Sequence, residues 1–363
     1  MEIREPERLT PVVGEADVIV VGSGPGGLSA AIAAARAGVN VILIERFGCF
    51  GGNITSVGVE GFAWYRHEKT IEAGGLAFEY EQRAIESNAA VPESQSKSYE
   101  LDSEGFKAVA DNLVLTAGVR PMLHRAFCAP ILDGDEIKGV ITESKAGREA
   151  IIGKIIIDAT GDADVARRSG VTVFKNKKED MISASVMFHM SGVNKEEFMS
   201  EIERDPQKYS DWSDKNWQVQ TSGKEDDMFS PFLRKPFEKA KDSGLIDSDL
   251  QTISGTWGAI HDTGELTYLN LVHLNGVDGT DPESLTKGEI EGRKAALEAI
   301  AALKEYMPGC SAGKLRNFGM TIGIRDTYKI DSVYNLSDED VKNECRFEDS
   351  VGIYPEFRDG FGV

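Results

Sequence analysis

The sequence predicts an α/β protein that begins with a parallel sheet flanked by helices. Three consecutive segments predict it: a β-branched run at residues 18–21, an alanine-rich stretch at 28–37, and a second β-branched run at 39–44. Continuous β-branched runs are typical of strands buried on both faces of a parallel sheet. Alanine favours a helix between the strands, and Gly38 is well suited to end it.

Glycines at fixed spacing join the first predicted strand to the helix. The turn reads Gly22-Ser-Gly24-Pro-Gly-Gly27, which is a G-x-G-x-x-G pattern. The first glycine permits the tight turn, the second lets a diphosphate approach the backbone, and the third lets helix and strand pack closely. Amides at the helix N-terminus also favour an anion. We therefore expect this turn to bind the diphosphate of a dinucleotide.

An acidic residue follows the second predicted strand. Glu45 stands where a carboxylate can accept hydrogen bonds from an adenosine ribose diol. The same carboxylate would repel a 2′-phosphate, because like charges brought together are unfavourable. The pattern therefore favours FAD or NAD over NADP.

A second glycine pair favours FAD over NAD. Gly51 and Gly52 are close enough in sequence to the first glycines to line the same phosphate and ribityl path, and Asn53 and Thr55 follow directly. A unit that binds only NAD has no need of this pair.

Three predicted antiparallel strands support the same choice. They span residues 122–130, 137–144 and 149–157, with turns at 132–136 and 146–147. The third strand runs into a turn with the sequence Asp-Ala-Thr-Gly-Asp at 158–162. The meander and its turn resemble the Rossmann-type FAD-binding domain of the glutathione-reductase-like superfamily.

Three segments carry a narrower resemblance: residues 48–55, 158–166 and 322–326. Through them the sequence resembles the bacterial FAD-dependent oxidoreductase family, which is related to the flavoprotein subunit of heterodisulfide reductase. The resemblance covers nearly the whole chain. It implies that both glycine groups line the phosphates and that Glu45 and Arg46 hold the adenosine ribose. It also implies that the backbone at Ala126 and Phe127 contacts the adenine. The middle of the cofactor would contact Ala159, Thr160, Gly161 and Asp162.

The same resemblance gives an expectation about the C-terminus. Members of that family continue past the equivalent of residues 360–363 with a further strand and a glycine-rich helix turn that touches the flavin. The chain is therefore expected to be a C-terminally truncated product.

The domain organisation is predicted from changes in periodicity. We expect an FAD-binding domain at residues 1–172, an α+β substrate domain at 173–330, and a return toward the first domain at 331–363. In the substrate domain the pattern predicts strands at 182–190 and 266–274 and helices at 195–203 and 284–307. The aromatic-rich stretch between them has no clear assignment; it contains Trp212, Trp217, Phe229, Phe232 and Phe237.

Composition limits the classes of binding partner and indicates the cellular compartment. A net charge of −20, from 60 acidic against 40 basic residues, disfavours nucleic acid and anionic membrane surfaces. No Cys-x-x-Cys pair is present, so neither a dithiol motif nor a zinc site is predicted. The first eleven residues lack the apolar stretch of a secretory signal, which favours the cytoplasm.

Candidate chemistry centres on Arg325 and His261. Arg325 ends a glycine-containing stretch that the resemblance places at the flavin ring, where a guanidinium could stabilise a reduced flavin or hold a substrate carboxylate. The alternative is a salt bridge to a neighbouring aspartate. His261 lies in a predicted loop and is the histidine best placed for proton transfer; His189 and His273 lie within strand patterns that favour packed, hydrogen-bonded roles.

These observations predict an FAD-dependent oxidoreductase that transfers a hydride between flavin and a small organic molecule. A flavin monooxygenase, a non-catalytic electron-transfer subunit and an NAD-binding synthase of the same fold remain alternatives. Without a second glycine fingerprint, electrons must come from the substrate or from a partner protein. Homo-oligomerisation also remains open.

Overall fold

The computed structural model describes residues 2–61, 74–92, 99–207, 230–337, 339–340, 343 and 345–351. Its named strands, in chain order, are β1 (Val12–Val21), β2 (Val41–Ile44), β3 (Ala90–Pro92), β4 (Tyr99–Leu101), β5 (Arg120–Met122), β6 (Ala126–Asp133), β7 (Glu136–Ser144), β8 (Gly147–Asp158), β9 (Val173–Phe174), β10 (Ala184–Ser185), β11 (Phe188–Ser191), β12 (Phe232–Leu233), β13 (Ile253–Thr256), β14 (Leu266–Leu274), β15 (Lys314–Phe318) and β16 (Lys329–Ile330). Its named helices are α1 (Pro25–Arg36), the π-helix Asn53–Val57, α2 (Gly75–Glu86), α3 (Ser103–Thr116), α4 (Asp164–Arg168), the 3₁₀ turn Lys178–Asp180, α5 (Lys195–Arg204), α6 (Lys235–Asp242) and α7 (Pro282–Tyr306).

The chain divides into two compact units. The first contains Met1–Gly52, Lys107–Phe174 and Tyr328–Asp331, and the second contains Asn53–Phe106, Lys175–Thr327 and Ser332–Val363. The domain limits expected from the sequence stay a prediction.

The first unit is built on one mixed sheet with strand order β5-β2-β1-β8-β7-β6. The pairs β1·β2, β2·β5 and β1·β8 are parallel, whereas β8·β7 and β7·β6 are antiparallel. Strand β8 therefore serves both the parallel sheet and the three-stranded meander. The predicted α/β fold class, with a Rossmann-type sheet and a meander, is confirmed. Its core is formed by apolar side chains of the sheet and α4: Ala16, Ile19, Val21, Ile42, Ile44, Met122, Val140, Ile151 and Val165.

Strand β1 begins six residues earlier than the β-branched run suggests. The added segment contains Glu15 and Asp17, which interrupt the apolar pattern. It is nevertheless a strand, because β8 pairs with it along its length. Asp17 Oδ1 lies 2.6 Å from Lys154 Nζ on β8, so a partner distant in sequence accommodates the charge.

The predicted strand at 122–130 is wrong as a single element. It is divided into β5, which pairs with β2, and β6, which belongs to the meander. Between them His124 adopts φ +57°, a left-handed conformation outside the extended region of regular strands. The chain can therefore leave the parallel part of the sheet and enter the antiparallel part.

The second unit contains a sheet with strand order β12-β13-β14-β11-β15, and β10 also pairs with β14. Helix α7 packs against β14 and α6. Side chains of the sheet, α5, α6 and α7 form its core, which includes Phe188, Phe198, Phe237, Trp257, Leu269, Leu271, Ala296, Ala299 and Leu303. Strand β14 and helices α5 and α7 match the sequence prediction to within two residues.

The predicted strand at 182–190 is interrupted. Both β10 and β11 pair with β14, but in different registers, and residues 186–187 lie between them. Several residues of interest in the sequence fall outside the described part of the chain: His67, Trp212, Trp217, Phe229 and the C-terminal residues 352–363. Among the described helices, none combines the length and apolar character needed to cross a bilayer.

Candidate functional site

The glycine-rich turn between β1 and α1 packs against the turn after β8. Gly22 adopts φ +96°, and a Cβ there would lie 2.3 Å from the carbonyl oxygen of Ala159. A Cβ on Gly27 would lie 2.0 Å from the carbonyl oxygen of Gly22. Real Cβ atoms do not approach backbone this closely, so both positions require glycine for packing.

Gly24 differs from these two glycines, because a Cβ there would meet no atom within 4 Å. It is the N-cap residue of α1 and supplies no side-chain cap. The first amides of a helix have no carbonyl partner within the helix and carry a partial positive charge. Open space beside such amides fits the diphosphate of a dinucleotide.

The second glycine pair lies against the first. Gly52 adopts φ +53°, and a Cβ there would lie 2.5 Å from the Cα of Gly24. The Gly51 amide donates to the carbonyl oxygen of Ser23 at 2.9 Å. The structure therefore brings together two glycine groups that the sequence only suggested would be close.

Glu45 directly follows β2 and is 6% exposed. Its Oε2 accepts hydrogen bonds from the Ser23 amide at 3.0 Å and the Ser23 hydroxyl at 2.6 Å. Its Oε1 accepts from the Phe47 amide at 2.9 Å. The predicted ribose ligand thus also fixes the glycine-rich turn to the end of β2. The Arg46 guanidinium lies 4.7 Å from the centre of the Phe47 ring.

Asp158, at the end of β8, organises the Ala-Thr-Gly turn. Its Oδ1 accepts from the Thr160 amide at 3.1 Å and from the Thr160 hydroxyl at 2.7 Å. Its Oδ2 accepts from the Ala166 amide in α4 at 2.9 Å. The Thr160 hydroxyl in turn accepts from the amides of Asp162 and Asp164. Sequence reasoning missed this role for Asp158, although the residue begins the recognised motif.

Replacing Asp158 with alanine should lower the free energy of unfolding by about 2 kcal/mol, because three hydrogen bonds to a charged acceptor are lost. Urea unfolding of the purified variant measures this. Asp135→Ala is the matched control, since Asp135 is exposed in the turn between β6 and β7. Equal stabilities of the two variants would contradict the role assigned to Asp158.

Asn53 and Thr55 belong to the second unit, where they lie on the π-helix Asn53–Val57. The amides of Gly58 and Val59 both donate to the carbonyl oxygen of Asn53, at 3.1 and 3.0 Å. Single π-turns are rare and occur frequently at functional sites. Thr55 is buried.

The stretch leading to Arg325 packs on this π-helix. A Cβ on Gly319 would lie 2.1 Å from the carbonyl oxygen of Val57, and a Cβ on Gly323 would lie 2.8 Å from Val57 Cγ1. The Thr321 amide donates to the carbonyl oxygen of Ser56 at 3.2 Å. The two segments that the resemblance places near the flavin are therefore in contact within the second unit.

Arg325 itself is exposed. The neighbouring Asp326 is buried, and its Oδ2 accepts a hydrogen bond from Asn176 Nδ2 at 2.8 Å.

Three histidines of the second unit have environments that favour the neutral form. Burial is the largest cause in each case, and it lowers the pKa of His261 and lowers the pKa values of His189 and His273 to about 4. Backbone groups of Ser254 and Asn270 hydrogen-bond His273, as expected for a packed histidine. His261 Nε2 lies 3.5 Å from the Thr267 hydroxyl, and the ring is half-buried.

Glu60 is a buried acid that sequence reasoning did not select. It is 2% exposed, and its Oε1 lies 3.6 Å from His189 Nε2. Burial raises the pKa of Glu60 to about 7. No sequence signal could have found this pair, because Glu60 and His189 meet only through the tertiary fold.

The predicted site residues divide between the two units. The first unit holds Gly22, Gly24, Gly27, Glu45, Arg46, Gly51, Gly52, Ala126, Phe127, Ala159, Thr160, Gly161 and Asp162, and the second holds Asn53, Thr55, His261 and Arg325. Within the first unit, the two glycine groups, Glu45 and the turn after β8 are in contact. Phe127 contacts α4, where its ring centre lies 5.8 Å from the Arg168 guanidinium.

Comparison with known proteins identifies related sequences and folds. The family described as FAD dependent oxidoreductase matches residues 17–355. A thiamine thiazole synthase from Saccharolobus islandicus is 31% identical over 163 residues, which cover 42% of this chain and 57% of that protein. A digeranylgeranylglycerophospholipid reductase 2 from Methanopyrus kandleri is 30% identical over 192 residues, which cover 50% of this chain and 46% of that protein.

A similar fold occurs in a solved structure of a triple mutant of the flavin-dependent brominase Bmp2. It has a TM-score of 0.50 and 14% identity, and the match covers 88% of this chain and 70% of that chain. At this identity the likeness concerns the fold alone. The matches to the two curated relatives cover about half of those proteins' lengths.

Proposed function

The chain belongs to the FAD-dependent oxidoreductase family, and we propose that it transfers a hydride between FAD and a small organic molecule. Family membership confirms the predictions of FAD as cofactor and of a redox enzyme. The narrower relation to heterodisulfide reductase, the cytoplasmic location and the identity of any partner stay predictions.

The observation that carries the proposal is the open space at Gly24. A side chain would fit there without a clash, yet the neighbouring Gly22 and Gly27 are fixed by packing. Space at the N-terminus of a helix, beside a second glycine pair, is suited to a diphosphate. We assign the diphosphate to this turn and the adenosine ribose to Glu45 and Arg46.

Bound FAD would supply two-electron chemistry, and the protein would supply binding, orientation and electrostatics. We assign to Arg325 the task of favouring negative charge at the redox centre through its guanidinium. We assign to His261 proton transfer with the substrate, because the ring is half-buried and burial favours its neutral, basic form. The π-helix with Asn53 and Thr55 is proposed to orient the cofactor.

Purification of the protein with added FAD tests the cofactor assignment directly. We expect a visible flavin spectrum after gel filtration and FAD, rather than NAD, in the nucleotide extract. Substrate-stimulated oxygen consumption that requires an external reductant would instead identify a flavin monooxygenase. Recovery of NAD alone would overturn the proposal.

Arg325→Gln should lower the midpoint potential of bound flavin, because a cation that favours negative charge is lost. The free energy of flavin reduction should become less favourable by about 1 kcal/mol, because solvent screens the charge of the exposed Arg325. Reduction in the presence of a reference dye measures it. Arg325→Lys keeps the charge and should retain most of the wild-type potential; equal shifts in both variants would rule out the electrostatic role.

A further inference from the structure

Two ionisable side chains of the second unit form an enclosed pair. Glu60 follows the π-helix, and His189 lies on β11, an interior strand between β14 and β15; they are 2% and 3% exposed. Glu60 Oε1 and His189 Nε2 are 3.6 Å apart. Buried acids and bases with perturbed pKa values cluster at functional sites. Neither residue has a part in the chemistry assigned above.

Main-chain groups hold Glu60 in place. Its Oε1 accepts a hydrogen bond from the Ser103 amide at 2.9 Å, at the first turn of α3. Its own carbonyl oxygen accepts from the Leu101 amide at 3.0 Å. The helix terminus favours the carboxylate, whereas burial favours the neutral acid. Burial is the larger effect, and it raises the pKa of Glu60 to about 7.

The charged groups around the pair come from three neighbouring segments. Asp102, before α3, raises the pKa of Glu60, and Arg316 on β15 lowers it. For His189, burial and then Arg316 lower the pKa, while Asp102 and Glu104 raise it; His261 also lowers it. The outcome is a neutral histidine beside a carboxyl group that changes charge near neutral pH.

The pair lies next to the π-helix that carries Asn53 and Thr55. A Cβ on Gly58 would lie 3.6 Å from His189 Nε2, and the Gly58 amide closes the π-turn by donating to Asn53. No side chain at Gly58 therefore separates the imidazole from the π-helix. A change of charge at the cofactor segment can thus act on the pair through a short, poorly solvated path.

We propose that Glu60, held against His189, takes up a proton from solvent when the flavin centre gains two electrons, and releases it when the centre is reoxidised. The inference rests on the proposed function. The electrons come from an organic substrate or from dithionite. The proton adds to a carboxylate oxygen of Glu60 and forms a neutral carboxyl group, while His189 stays neutral throughout. Added negative charge nearby stabilises the protonated acid and so drives the uptake.

The midpoint potential of bound FAD, measured against pH with dithionite and reference dyes, counts the protons taken up per two electrons. Above pH 7 the wild type should take up more protons per two electrons than Glu60→Gln, and the difference should be at most one proton. Glu81→Gln is the matched control, because it changes another buried carboxyl group of the second unit, which accepts from the Tyr99 amide. Equal proton counts in wild type and Glu60→Gln would overturn the coupling.

Infrared spectroscopy of the apoprotein tests the pair without any cofactor. The carbonyl stretch of a protonated carboxylic acid should disappear as pH rises through about 7 in wild type and Glu81→Gln, and should be missing in Glu60→Gln. His189→Gln should move the midpoint of that titration. An unmoved midpoint, or a titration that survives in Glu60→Gln, would overturn the pair. If FAD fails to bind, the proposed function is wrong. The infrared result on the apoprotein still decides whether Glu60 is a buried acid that titrates near pH 7.

Discussion

Gly24→Val is expected to abolish FAD binding while the protein remains folded. The valine Cβ has no atom within 4 Å, and the Gly24 backbone, at φ −60° and ψ 176°, is a conformation that valine adopts readily. The branched side chain would nevertheless fill the space assigned to the diphosphate. We expect affinity to fall at least about 100-fold, equivalent to about 2.7 kcal/mol, as measured by flavin fluorescence titration.

Gly27→Val provides the contrasting control. Its Cβ would lie 2.0 Å from the carbonyl oxygen of Gly22 and 3.0 Å from Ala159 Cβ, so this variant should lose stability even without FAD. Thermal unfolding of the apoproteins separates the two effects. Gly24→Val should unfold near the wild-type temperature, with a loss of about 1 kcal/mol or less from the changed N-cap. Normal FAD content in Gly24→Val would exclude the glycine-rich turn as the diphosphate site.

Local sequence signals were sufficient for the nucleotide-binding part of the fold. The strand, glycines and helix at β1 and α1 depend on neighbours within a few residues, and the roles of Gly22 and Gly27 follow from close packing of adjacent elements. Strand β14 was equally clear, because its β-branched and leucine side chains are not interrupted by glycine or proline.

Features that depend on distant partners were not predictable. The sequence could not show that β1 extends through Asp17, since this depends on pairing with β8, more than 120 residues later in the chain. It could not show the break between β5 and β6, because the left-handed conformation of His124 has no glycine or asparagine to signal it. The Glu60–His189 contact is of the same kind, since each residue appears ordinary in its own segment.

The enclosed acid should also make stability depend on pH. The folded-state pKa of Glu60, about 7, lies above its ordinary value of 4.5. A carboxyl group with a raised pKa contributes its full stability below the unfolded value and loses it as pH rises to the folded value. Between pH 5 and 8 the wild type should therefore lose about 2 to 3 kcal/mol through this one group.

Glu60→Gln removes this dependence, because glutamine resembles the neutral acid and keeps an oxygen that can accept from the Ser103 amide. Denaturant unfolding at pH 5 and pH 8 should show similar stabilities of variant and wild type at pH 5, and a more stable variant at pH 8. Stabilisation of the variant that develops as pH rises from about 5 to 7 and persists at pH 8 points to the titration of Glu60 itself, since loss of packing or of a hydrogen bond would destabilise the protein at both values. Glu81→Gln controls for the general effect of replacing a buried carboxyl group. If the difference between Glu60→Gln and wild type were the same at both pH values, Glu60 would be ionised throughout, and a structural contact to α3 would be its whole role.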